Sequence, residues 1–258
     1  MPGTILAFYH IKGGVGKTAA TVNMAYLAAC SGAPTLLCDL DPQGAATYYF
    51  RIKPNVKAGT KIFTKGGKHL ARNIKGTDYD LLDLLPADLS HRHLTRELEN
   101  VSQPRRRLRM ILAPLLADYQ YIMLDCPPTL TLMAETIFTA ADHLIVPVVP
   151  STLAQQAYDQ LYAFFHKKRY DTDKILPFFS MVEKHKIMHR QTMQTLWERD
   201  GRFLRSVVPY LADVEKMGLY RAPLNVFAPR SGAAQAYQQV WEECQQRFDR
   251  LARTESHA

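Results

Sequence analysis

Seven consecutive residues near the start of the chain, Lys12-Gly13-Gly14-Val15-Gly16-Lys17-Thr18, combine the residue types that hold a nucleotide phosphate. Glycines 13, 14 and 16 let the backbone turn tightly and come close to an anion. An ammonium at Lys17 can reach the β and γ phosphates of ATP, and a hydroxyl at Thr18 can ligate Mg2+. The run follows the strand-like Thr4-Ile5-Leu6-Ala7-Phe8-Tyr9 and opens a helical pattern over Thr18 to Cys30, so its amides converge on phosphate at the positive end of a helix. Val15 and Ala19 complete the candidate nucleotide contacts. A second segment, Tyr121-Ile122-Met123-Leu124-Asp125-Cys126-Pro127-Pro128, is an apolar strand ending in an acid, which suits Asp125 to hold Mg2+ through water.

Such residues meet only if strand ends are brought together. Short apolar runs near 4–9, 35–39, 81–85, 120–125, 143–149, 176–182, 204–208 and 224–227 alternate with helix-length segments. That alternation predicts the α/β class, a mostly parallel twisted sheet flanked by helices on both faces. No repeat or low-complexity run interrupts it, and the Gly/Lys-rich stretch around 57–68 reads as a surface excursion, so residues 1–258 are expected to form a single domain. A last helix, roughly 232–252, places Tyr237, Val240, Trp241, Cys244, Phe248 and Leu251 on one face that docks on the sheet.

With 258 residues, 47% hydrophobic and 22% charged, the chain can bury a sizeable core. Its apolar runs fall far short of the roughly 20 residues a membrane span needs. The start lacks the basic region and cleavage site of a secretory signal, which predicts a cytoplasmic protein. Cys30, Cys38, Cys126 and Cys244 are widely spaced with no C-x-x-C pair, as small apolar fillers in a reducing compartment would be. The net charge of +8 favours polyanions such as nucleic acid or an anionic membrane. Arg51 to Lys75 holds Arg51, Lys53, Lys57, Lys61, Lys65, Lys68, Arg72 and Lys75 without one acid, and is a candidate surface for nucleic acid or a partner.

The phosphate loop departs from the common pattern: the position five before Gly16 is Ile11 rather than glycine, and an additional lysine, Lys12, follows it. In this it resembles the ParA/MinD family of deviant Walker-A P-loop ATPases. Leu36-Leu37-Cys38-Asp39-Leu40-Asp41-Pro42-Gln43-Gly44-Ala45-Ala46-Thr47 is similar to that family's D-x-D-P-Q-G switch, and Asp125-Cys126-Pro127-Pro128 to its D-x-P-P. The likeness extends to Leu84-Leu85-Pro86-Ala87, Val146-Pro147-Val148-Val149-Pro150 and Pro229-Arg230-Ser231-Gly232-Ala233, nearly the whole chain. The resemblance implies an ATPase in which Asp41 is the catalytic aspartate and Lys12 reaches across a homodimer to phosphates in the other subunit. A carboxylate at Asp41 can orient the attacking water or accept its proton, while Asp39 suits the outer shell of Mg2+ or a purely structural strand end.

The same resemblance puts an adenine-contacting loop at Pro209 and Asp213, although Val207-Val208-Pro209 departs from the family's I-P-R-N, and DNA-backbone contacts at Arg221 and Arg230. It implies a nucleoid-associated partition or positioning ATPase: an ATP dimer on nonspecific duplex DNA, released when a ParB-like or cargo-borne protein stimulates hydrolysis. A MinD-like membrane cycle is the alternative, but the tail Leu251 to Ala258 offers no lipid-inserting face and Glu242, Glu243 and Asp249 oppose anionic lipid, so no membrane partner is expected. A nitrogenase-iron-protein-like carrier would need two suitably placed cysteines, and only Cys126 is near the site. With the first strand at about residue 4, no N-terminal helix-turn-helix is expected. His185 and His189 lack the glutamate of a H-E-x-x-H zinc site. His91-Arg92-His93 and Arg105-Arg106-Arg107-Leu108-Arg109 read as solvated faces, the second also a candidate for function.

Overall fold

The computed structural model of the protein describes residues 3–53, 66–88 and 94–255. Eight strands form one sheet: β1 Thr4–Phe8, β2 Thr35–Asp39, β3 Lys75–Gly76, β4 Leu82–Leu85, β5 Tyr121–Asp125, β6 His143–Val148, β7 Ile175–Val182 and β8 Val207–Pro209. Their order is β3-β4-β2-β5-β1-β6-β7-β8, and every pair is parallel except β3 with β4. A parallel sheet is covered on both faces, so its central strands are apolar throughout. Period-two alternation then divides each strand between two cores. Ile5, Ala7, Leu36, Cys38, Ile122 and Leu124 enter one cluster; Leu6, Phe8, Leu37 and Met123 enter the other.

The first cluster is covered by helices Pro104–Leu112, Leu132–Ala140, Thr152–Lys168 and Ile187–Arg199. The second is covered by α1, Lys17–Cys30, and by the final helix Gly232–Glu255, which brings Tyr237, Val240, Trp241 and Cys244 against the sheet as its periodicity predicts. Trp241 meets Tyr121 of β5 edge-on, with ring centroids 5.2 Å apart.

Three elements differ from the sequence reading. Leu224–Phe227 is a helical turn, not a strand, closed by the Ala228 amide on the Leu224 carbonyl at 2.7 Å. Its first amide is taken by a side chain: Leu224 N–H donates to Asn23 Oδ1 at 2.8 Å, while Asn23 Nδ2 donates to the Ala19 carbonyl at 2.7 Å. The strand expected at 204–208 begins only at Val207, because the amides of Arg205 and Ser206 both donate to the Glu243 carboxylate at 2.8 Å. The short antiparallel β3 at Lys75–Gly76 had no signal in an otherwise basic, irregular stretch.

Asn23 is buried, so truncating it strands the Leu224 amide away from water. Asn23→Ala is therefore expected to lower unfolding free energy by about 2 kcal/mol. Urea titration of both proteins checks this, and an unchanged midpoint would show that the bond adds nothing.

Candidate nucleotide site

Strand register fixes where the chemistry collects. Asp125 is the partner of Phe8 in β1 and of Asp39 in β2, so both acids stand at the carboxyl edge of the sheet beside the loop that leaves β1. The Leu40 amide donates to the Asp125 carbonyl at 3.0 Å, carrying the ladder one residue past the acids.

The loop turns through two left-handed residues, Gly14 at φ 74° and Gly16 at φ 92°, a region that side chains other than glycine rarely enter. Gly16 caps α1, and a Cβ there would lie 3.0 Å from Ser180 Oγ, so the end of β7 presses on the loop. Gly13 and Gly14 face open space, Val15 and Ala19 are buried, and Thr18 is half-buried at the head of α1.

Lys17 is buried and donates from Nζ to the Lys12 carbonyl at 3.3 Å. Burial pulls its pKa down, opposed by Asp125, Cys126 and Asp41. The Lys12 carbonyl thus faces Lys17. Its amide donates to His10 Nδ1 at 3.0 Å, a side-chain-closed turn at the loop entrance. Burial holds the His10 pKa down at about 4, so the ring is neutral and able to accept at neutral pH.

Asp39 is fully buried and receives the Thr47 amide at 2.8 Å, the Thr47 hydroxyl at 2.7 Å and the Asp41 amide at 3.3 Å. Burial outweighs those donors and raises its pKa to about 6. Asp41 is half-buried, its Oδ1 accepting the Gln43 amide at 3.0 Å. The Asp125 pKa is also raised well above its ordinary value, first by burial and then by the charge of Asp39, against a hydrogen bond from Thr18 and the charge of Lys17. Thr21 Oγ1 reaches Asp125 Oδ1 at 3.4 Å, but buried Oδ2 has no partner. An orphaned carboxylate oxygen beside a second buried carboxylate, with a threonine hydroxyl at hand, suits a hard divalent cation.

The other predicted residues scatter. Pro209 ends β8, and Asp213 spends its carboxylate on Lys216 at 2.9 Å within its own helix. Arg221 lies against Tyr48, while Arg230 is exposed in the loop before the final helix. In the basic stretch, Arg51 pairs with Asp78 at 2.7 Å and Arg72 and Lys75 are exposed; 54–65, like His91-Arg92-His93, lie outside the described residues. The arginine run is partly structural: Arg105 pairs with Glu135 at 2.7 Å and Arg109 with Asp142 at 2.9 Å. His189 accepts the Glu183 amide at 3.1 Å, and among the described residues no three potential ligands gather into a metal cluster.

Comparison with known proteins places the arrangement. A family described as AAA domain matches residues 3–177. The sporulation initiation inhibitor protein Soj of Bacillus subtilis is 29% identical over 248 residues, covering 93% of this chain and 98% of that relative. The chromosome partitioning protein ParA of Myxococcus xanthus is 35% identical over 161 residues, 62% of this chain and 56% of that protein. A Borrelia burgdorferi protein solved with AMPPNP and described as a plasmid partition protein has a TM-score of 0.82 at 22% identity, over 95% of this chain and 99% of that one, and shows the same fold.

Two outcomes follow from the electrostatics. The His10 ring titrates near 6.5 when unfolded and near 4 when folded, so stability present above pH 6.5 is lost as pH falls toward 4. His10→Asn keeps an acceptor for the Lys12 amide and removes that titration; between pH 7 and 4.5 it should lose about 2 kcal/mol less than the parent in urea unfolding. Parallel pH profiles would refute the buried neutral ring. Without nucleotide, Asp125→Asn relieves the repulsion with Asp39 and should raise the unfolding free energy. It should also abolish the rise in melting temperature that ATP with Mg2+ gives the parent, and a less stable, still responsive variant would remove Asp125 from the site.

Proposed function

From the premise that the chain belongs to the ParA/MinD family of deviant Walker-A P-loop ATPases, we propose that it is a single-domain ATPase whose ATP-bound homodimer partitions or positions a cargo on DNA. The observation that carries the reading is the alignment of Asp39 and Asp125 as register partners beside a loop whose glycines are already turned left-handed.

In this reading the loop amides of Gly13 to Ala19 and the Lys17 ammonium bind the phosphates, and Thr18, Asp125 and Asp39 would hold Mg2+, which when bound would supply positive charge for the phosphate oxygens. Asp41, tethered through its amide to Asp39, orients the attacking water or takes its proton. Lys12 reaches phosphates bound by a second copy and makes dimerisation depend on ATP. Pro209 and Asp213 border the adenine. Burial lowers the Lys17 pKa and the nearby acids oppose that shift, so a phosphate beside the ammonium would favour its charged form further.

The dimer binds duplex DNA through its backbone, with exposed Arg230 a contact, because a net charge of +8 favours phosphates without reading bases. A ParB-like or cargo-borne protein stimulates hydrolysis and release, which places the protein on the nucleoid. No described helix is long and apolar enough to cross a membrane.

Binding to random-sequence duplex DNA, followed with light scattering under ATP, ADP or no nucleotide, tests this. The expected result is a dimer on DNA with ATP alone, weakening on a log–log salt plot with a slope of about −0.9 per phosphate neutralised. Lys17→Ala should lose ATP binding, and Asp41→Ala should keep an ATP-bound dimer while losing at least about a hundredfold in kcat. An ATP dimer that ignores DNA but binds anionic vesicles would overturn the DNA reading in favour of a membrane cycle, and normal turnover in Asp41→Ala would refute the catalytic assignment.

A further inference from the structure

We propose that Arg221 is a positioning residue for ATP hydrolysis, clamping the short helix that anchors Asp39, rather than a contact to DNA. The proposal rests on the ATPase reading above and concerns the helix Ala45–Tyr49 that follows the Asp39-Leu40-Asp41 acids.

Five residues cannot sustain a helix alone, since nucleation fixes several dihedrals for each early hydrogen bond. The N-cap here is Gly44 at φ 65°, with no side-chain cap. The helix must therefore be held by its neighbours, and it is held on two sides. Toward the site, Thr47 gives its amide and hydroxyl to Asp39 at 2.8 and 2.7 Å, and its hydroxyl oxygen accepts the Ala87 amide at 2.8 Å. On the other side, Arg221 Nε donates to the Tyr48 carbonyl at 3.0 Å and its guanidinium lies 4.4 Å from the Tyr48 ring centroid. The Tyr48 hydroxyl reaches back to the Gly218 carbonyl at 3.4 Å.

The backbone under Arg221 points the same way. It takes the left-handed conformation, φ 48°, that ends the helix Ala212–Tyr220, a position where glycine is normally preferred. A non-glycine residue there carries strain, and what it gains is the contact with Tyr48. That helix is tied in turn to the phosphate-loop helix: buried Met217 accepts Asn23 Nδ2 on its sulfur at 3.3 Å, and the next turn gives the Leu224 amide to Asn23 Oδ1. A continuous chain of contacts thus runs from Asp39 through Thr47, Tyr48, Arg221, Met217 and Asn23 to α1, whose first turn carries Lys17 and Thr18. Arg221 closes it, and so fixes Asp39 at the end of β2 relative to the phosphate loop.

Arg221→Gly tests this cleanly, because glycine relieves the left-handed strain and should not impair folding. Full-length protein with ATP and Mg2+ but no DNA should show kcat lowered roughly tenfold, with KM for ATP changed less than about twofold. Arg221→Lys should not restore the rate, since an ammonium cannot both stack flat on Tyr48 and donate from a planar Nε. Tyr48→Leu should lower kcat similarly, and the double variant should be no slower than either single one. Hydrogen exchange of the amides in 45–49, measured without nucleotide, should quicken in all variants. That readout needs no turnover, so an inactive parent protein would sink the ATPase reading while exchange still judges the clamp. Wild-type kcat and unaltered exchange in Arg221→Gly would overturn the proposal; if ATP-dependent DNA binding were lost in that same variant, Arg221 would be a DNA contact instead. Additive effects of Arg221→Gly and Tyr48→Leu would overturn it as well.

Discussion

Two carboxylates, Asp39 and Asp125, are held side by side in the dry edge of a parallel sheet, and much of the molecule follows from that constraint. Burying one ionised acid is costly, and burying a second beside it adds repulsion, as the raised pKa values of both record. The fold offsets only part of this. Thr47 and the Asp41 amide satisfy Asp39, whereas Asp125 keeps an oxygen without a partner although Lys17 and Thr18 are close. The deficit is local and directional, of the kind that a hard divalent cation can offset. A sheet made of buried apolar strands, register-locked on both faces, provides the rigidity to keep two like charges adjacent.

Much of this can be read in the residues because the chemistry is local in the chain. The glycine loop, Asp39 and Asp125 each follow an apolar run of strand length, so residue type and element boundary coincide. The parallel sheet, the helices on both faces and the docking face of the last helix follow from the same periodicity. What escapes is set by partners far away in sequence. Leu224-Asn225-Val226-Phe227 looks like any short apolar strand; it becomes a helical turn because Asn23, 201 positions earlier, takes its first amide. Glu243 delays β8 by capturing the amides of Arg205 and Ser206.

His10 and Thr47 show a subtler limit. Both stand inside segments whose chemistry is plain, yet their work is to accept or give hydrogen bonds to the backbone and to an acid already assigned. Nothing in a histidine two residues before a lysine announces that its Nδ1 will close the turn beneath that lysine. A threonine eight residues after an aspartate reads as an ordinary helix residue until Asp39 is seen to lean on it. Residues that touch a phosphate have demanding chemistry and a recognisable spacing; residues that orient those residues have neither.

The stretch from Val207 to Phe227 carries this furthest. It departs most from the pattern that the phosphate loop and the two acids suggest, and the adenine contacts expected there find Asp213 engaged with Lys216. Yet this stretch touches both halves of the site: Met217 and Leu224 hold α1 through Asn23, and Arg221 holds the helix behind Asp39 through Tyr48. At Arg221 the left-handed position forgoes the freedom glycine would have there, and the side chain is engaged with Tyr48. The three nucleotide motifs specify which bond can be broken. How firmly the acids and the loop are kept in register while that happens is specified by this late stretch.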